Sequence, residues 1–201
     1  MSITLPTTGQ SHWDTPLNLA LASLGKSIWQ PNDHGLITYT SALEGLNATA
    51  APTSGAVRMR RIRLLQAETI TNLHIVVTIA GVTLTAGQSF LGLYSTAGTR
   101  LAVSADQAST WESSGFKTAA LTSPYAAAAG DYFVAIVTNG ATTPTLAQES
   151  SLATFAANAG LTAGSSAFAM SGPAGQTSLP ASIDMGVDVA LIANTYWFGA
   201  S

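Results

Sequence analysis

The sequence contains no cysteine. That excludes a disulfide framework, a thiol nucleophile and a cysteine-based zinc site, and it leaves packing or oligomerisation to hold the fold. Charge is nearly as scarce: 8% of the 201 residues are charged, against about a quarter in an ordinary soluble protein. Seven basic residues against ten acidic ones give a formal net charge of -3, so no nucleic-acid partner is expected, because such binding needs clustered positive charge. No apolar run reaches the roughly 18 residues of a membrane helix, and residues 1-11 lack the basic start and apolar middle of a secretory signal. No membrane partner is expected either.

Thr, Ser, Ala and Gly fill the space that charge vacates, alongside an apolar content of 47%. This mixture favours strands and turns, and a neutral, hydroxyl-rich surface of the kind neighbouring subunits share. Near the start, Leu5-Pro6-Thr7-Thr8-Gly9 spells a cell-wall sorting signal. Such a signal works before a C-terminal apolar span and basic tail, whereas this chain ends Tyr196-Trp197-Phe198-Gly199-Ala200-Ser201. The match is read as coincidence and the stretch as a turn.

After that turn, Thr15 can cap a helix beginning at Pro16, and Gly25-Lys26 can stop it. Leu17, Leu21, Leu24 and Ile28 fall on one stripe, flanked by Trp13 and Trp29. A helix this short cannot hide so much apolar surface alone, so these six residues are the candidate anchor on a partner. Residues 1-34 are therefore assigned to an attachment segment and 35-201 to a second domain.

That domain reads as all-β. Residues 41-56 are small and polar and suggest a connection. In Val57 to Leu65 the apolar spacing is broken at Arg60-Arg61, and a β-bulge there would turn every apolar side chain inward and all four arginines outward. Leu73, Ile75, Val77 and Ile79 alternate with Asn72, His74, Val76 and Thr78, which puts His74 on the outward face. Further strands are expected at 88-95, 99-104, 116-121, 131-138 and 187-197, separated by turn signals such as Ala97-Gly98 and Ala129-Gly130. Roughly six to nine short strands at this spacing indicate an antiparallel β-sandwich of jelly-roll type. Asp131 to Thr138 is apolar on both faces, as a central strand would be. Residues 150-183, which contain no charged residue and no clean periodicity, read as a long excursion packed on the sandwich or on a neighbouring subunit.

Catalytic signals are absent from the pattern. His12, His34 and His74 do not pair at metal-ligand spacing, and HWD and NDH are capping and turn sequences. Gly87-Gln88-Ser89-Phe90-Leu91 misses the nucleophile elbow, because its second glycine arrives one residue late, at Gly92. Asp184 and Asp188 are near neighbours but flank the expected last strand rather than face each other across a cleft. No enzyme, cofactor or metal site is expected.

Arg58, Arg60, Arg61 and Arg63 supply four of the seven basic residues, and four charges on one strand suit an exposed edge or a subunit contact. Trp111, Tyr125, Phe116 and Tyr94 sit near expected strand ends. There they belong either to the rim of the core or, for Trp111 and Tyr125, to a surface that stacks on sugar rings.

The stretch GQSHWDTPLNLALASL resembles the N-terminal segment of minor tail and fibre proteins of double-stranded DNA bacteriophages, especially actinobacterial ones. The region from Ile70 to Val137 is similar to the β-sandwich modules of such proteins. The resemblance covers about residues 16-138, and it implies a virion structural protein, held by its N-terminal segment with the sandwich outward. It further implies other virion proteins as partners, a homotrimer that covers edge strands and the uncharged region, and contact with a host cell-surface glycan. The chain lacks the long repetitive shaft of a tail fibre, so a capsid decoration or head-fibre protein is the alternative, and a non-catalytic carbohydrate-binding module another.

Overall fold

A computed structural model describes residues 29-151 and 157-201. The chain runs through β1 (Thr38–Tyr39), β2 (Ala48–Ala50), β3 (Arg58–Leu64), β4 (Glu68–Ile79), β5 (Val82–Leu84), β6 (Phe90–Ser95) and β7 (Arg100–Val103). After the single helical turn α1 (Ala108–Trp111) come β8 (Gly115–Ala127), β9 (Gly130–Val137), β10 (Gly140–Thr142) and β11 (Thr145–Ser151). The short strands β12 (Ala169–Ser171), β13 (Ala190–Leu191), β14 (Asn194–Tyr196) and β15 (Gly199–Ala200) complete it.

These strands form the expected all-β sandwich. One main sheet has the order β1-β15-β4-β11-β14, with β2 on β11 and β8 on β4; the other runs β13-β12-β3-β9-β6-β7, and β10 pairs with β5 in a separate two-stranded sheet. Every pairing is antiparallel. Between the sheets lies a core of Ile62, Leu64, Leu91, Leu93, Val134 and Ile136 from one side, meeting Ile70, Leu73, Ile75, Val77, Leu146 and Phe198 from the other. Near one margin the sheets almost join, through a bridge between Ser104 and Leu121.

A second core lies on the far side of the six-stranded sheet. Val57, Met59, Tyr94, Phe133, Ala135 and Val137 point outward there and are covered by Ala167, Met170, Leu179, Ile183 and Met185. The excursion thus adds β12 to the sheet's edge and folds the chain around it over the outer face as a third layer, tied to the sheet by its backbone. Ile183 donates to the Gly98 carbonyl at 2.9 Å and Arg100 to the Ala181 carbonyl at 2.9 Å. The Tyr94 hydroxyl donates to the Pro180 carbonyl at 2.6 Å. Gly98 is required at its place: its φ is +89°, and a Cβ there would stand 1.9 Å from the Ile183 oxygen.

Three expectations need correction. The register between β3 and β9 is unbroken from Arg58 opposite Ile136 to Leu64 opposite Gly130, so no bulge separates Arg60 from Arg61. The apolar set instead changes sides along β3, because Met59 packs under the excursion while Ile62 and Leu64 pack against the other sheet. The strand expected over 187-197 is two strands in opposite sheets, β13 on β12 and β14 on β11, with the crossing between them. The 41-56 connection holds a further strand, β2, paired with Leu146 to Gln148. His74 does face outward but is buried all the same, because Trp197 and Phe116 close over that face.

Candidate interaction surface

The arginine-rich strand is not an edge over most of its length. β3 lies between β9 and β12, which pairs with Arg58 to Arg60, and the Arg61 amide donates to the Phe168 carbonyl at 2.9 Å. The edge reading is thereby corrected, since strands cover both sides of this segment. Beyond Phe168 no strand among the described residues continues along Ile62 to Leu64, and Thr38 of β1 caps this stretch by donating its hydroxyl to the Arg63 carbonyl at 2.8 Å.

Alternation along β3 sends the four arginines to different places. Arg58 reaches Thr53 Oγ1 at 2.9 Å through Nη2, and its buried Nε has no acceptor. Arg60 points between the sheets and is only 6% exposed; its Nη2 lies 3.4 Å from both carboxylate oxygens of Glu149 in the facing sheet. Its Nε and Nη1 find no acceptor, and burial pulls this guanidinium below its ordinary value despite Glu149. Arg61, on the other face, stacks 4.0 Å above the centre of the Phe168 ring. Arg63 makes a fork to Asp131, Nε to Oδ1 at 2.6 Å and Nη2 to Oδ2 at 3.0 Å. The fork holds Asp131 below the usual carboxylate range.

Where β12 ends, Arg61, Arg63, Asp131 and Phe168 border a cleft of about 300 Å³ with Tyr39 as one wall. Tyr39 and Arg63 also line a neighbouring, more apolar groove of about 470 Å³ that extends past Leu64 and Leu65 to Gln30 and Pro31. The Tyr39 hydroxyl donates to the Trp29 carbonyl at 2.6 Å, which fixes the phenol ring. Trp29 itself is 59% exposed. It is the one candidate anchor residue placed here; Trp13, Leu17, Leu21, Leu24 and Ile28 lie outside the described residues.

The sugar-stacking candidates do not come together. Trp111 is fully buried in the core between the sheets, because α1 carries its indole inward; its stacking role is corrected to packing. Tyr125 is half-buried and meets Tyr132 edge-on at 6.4 Å, also against that core. Asp184 and Asp188 belong to one turn, where Asp188 accepts from the Asp184 amide at 3.0 Å and Asp184 from the Gly186 amide at 2.8 Å. NDH is a turn too, in which Asp33 accepts from the Gln30 amide at 2.8 Å.

No protein-family model matches the chain, and no curated protein matches it. Among the described residues there is no group of three or more His, Cys, Asp or Glu side chains placed to hold a metal ion. No helix among them is long and apolar enough to cross a membrane.

Sequence reasoning found Arg60, Arg61 and Arg63 but missed Tyr39, Asp131 and Phe168 as their companions. Only the alternation of Asp131-Tyr132-Phe133 opposite the arginine strand offered a signal for Asp131. Tyr39 and Phe168 are distant in sequence and carry none.

Proposed function

We propose that the protein is a non-catalytic structural component of a bacteriophage virion, a surface-exposed minor tail or fibre-like protein attached through the segment before Trp29. The observation that carries this reading is the contrast at that residue. From Leu36 onward most of the large apolar side chains among the described residues fill two continuous cores, with Leu65, Ile79, Val82, Phe116 and Val187 left exposed. In the sequence, Leu17, Leu21, Leu24 and Ile28 precede Trp29, which is exposed and adjoins an open apolar groove. A sandwich so filled needs no help from that stripe, which fits an anchor for another virion protein. Assembly as a homotrimer, with Arg63 among the contacts, belongs to the same proposal.

A capsid decoration or head-fibre protein is the second reading. It is favoured by the absence of any shaft: among the described residues the only α-helix is the four-residue α1.

The test is a tagged copy lacking residues 1-28, expressed during infection beside a tagged full-length copy. The full-length protein is expected in purified particles and the truncated one as a folded, unincorporated sandwich. Equal incorporation of both would overturn the proposal. Gold labelling of the tag distinguishes tail from head.

A further inference from the structure

The cleft at the end of β12 has a surplus of positive charge at short range. Among the described residues that line it Asp131 is the one acid, and both its oxygens are taken by Arg63 at 2.6 and 3.0 Å. Arg61 is left 3.9 Å from that carboxylate, too far for a hydrogen bond. The Phe168 ring beneath its guanidinium nevertheless fixes its position. Arg60, the neighbour on the strand, sends its side chain to the opposite face, between the sheets and toward Glu149, so the cations on this side are Arg61 and Arg63. A planar cation held in place without its own acceptor is a preformed half of a carboxylate pair.

Two further features narrow the ligand. Tyr39, its ring fixed through Trp29, gives the cleft an aromatic wall, and Thr40 and the Asp131–Arg63 fork give it groups that bind hydroxyls. Around this cationic floor lie acids: Asp33 and Glu44 act on Tyr39, and Glu68 lines the adjoining groove. A polyanion would be repelled there, while a ring with a single negative charge placed inward meets Arg61 alone.

We propose that this cleft binds a sugar carrying one carboxylate, with the acid on Arg61 and the ring against Tyr39. The binding is a separate property from attachment through residues 1-28, so either can fail without the other.

The test uses the full chain and amide and arginine Nε–H NMR spectra, titrated with glucuronate, galacturonate and N-acetylmuramate, and with glucose as the uncharged match. Saturable shifts are expected at Arg61, Phe168 and Tyr39 with at least one acid, with a Kd on the order of millimolar, and glucose weaker by about tenfold or more. Arg61→Gln should remove the shifts and Arg61→Lys retain part of them, while Lys117→Gln on the other sheet leaves them intact. If Arg61→Gln loses the folded spectrum, the mapped comparison of acid with glucose on the unaltered protein decides. The proposal is overturned by no saturation with any of the three acids up to about 50 mM. Equal binding of glucose, shifts mapping elsewhere, or a folded Arg61→Gln that binds as before would overturn it equally.

Discussion

Strand β9 serves two cores from one backbone. Val134 and Ile136 point between the sheets, while Phe133, Ala135 and Val137 point to the opposite side, under the excursion. The side chains on both faces are almost wholly shielded from water, yet what covers them differs in kind. Across the inner core stand long strands locked by ladders, such as β4 on β8 from Glu68 to Val77. Across the outer core stands a chain whose only strand pairing to that sheet through β3 is the three-residue β12, with the rest held by scattered bonds at Gly98, Arg100 and Tyr94. Equal burial can therefore rest on unequal cooperativity: a ladder opens as a unit, whereas a draped segment can open by itself.

The largest test of this difference is Ile136→Ala. Removing a buried branched side chain from the inner core should lower stability by about 3 kcal/mol. Circular dichroism and amide exchange in both sheets should shift together in denaturant. Separate transitions for the two sheets would show that the inner core is not one unit.

Gly98→Ala attacks the outer layer alone. The new Cβ would collide with the Ile183 carbonyl at a backbone conformation that alanine resists, a cost of roughly 2 kcal/mol. Exchange should quicken at Ile183 and Arg100, whose amides bond across this contact, and proteolysis should begin within 176-185 while β4 and β8 stay protected. Loss of protection throughout would mean that the third layer is part of the global unit.

How far these layers were legible follows from what covers each. The doubly apolar pattern of β9 announced a central strand, and the turn glycines announced their turns, since both are local consequences of backbone geometry. β3 misled because a single covered face was assumed; with cover on opposite faces at its two ends, an unbroken strand imitates a bulge. The excursion is made of small residues held by backbone bonds to distant partners, so it leaves no periodic trace. Trp111 sits on a helix of four residues, too short for a repeat to reveal which way it points. The cleft joins Tyr39, Arg61, Asp131 and Phe168, which only the folded topology assembles.

The outer face of the other sheet offers a third kind of cover. His74 lies there under Phe116, ring centres 5.2 Å apart, with Nε2 2.9 Å from Ser201 Oγ and Nδ1 3.2 Å from Thr118 Oγ1. Burial lowers its pKa from 6.5 to about 4. The unfolded chain thus takes up a proton that the folded one refuses, so this contribution to stability is complete above pH 6.5 and is lost as pH falls toward 4. A decline of roughly 2 kcal/mol is expected across that window. His74→Gln, which cannot titrate, should flatten the pH profile of the unfolding midpoint; an unchanged slope would assign the acid sensitivity to other groups.

The smallest expected effect has the opposite sign. Arg60 faces the inner core, where its neighbours on β3, Ile62 and Leu64, are apolar, and two of its N–H groups meet no acceptor. Desolvating a guanidinium for a 3.4 Å contact with Glu149 costs more than the contact returns. Glu149 keeps 31% of its side chain exposed, so water can satisfy it if the arginine goes. Methionine would retain the packing of the stem and remove the buried charge, and Arg60→Met should raise stability by about 1 kcal/mol. A fall of similar size would mean that Arg60 and Glu149 hold the two sheets together. A gain would mark Arg60 as a residue kept at a cost to the fold.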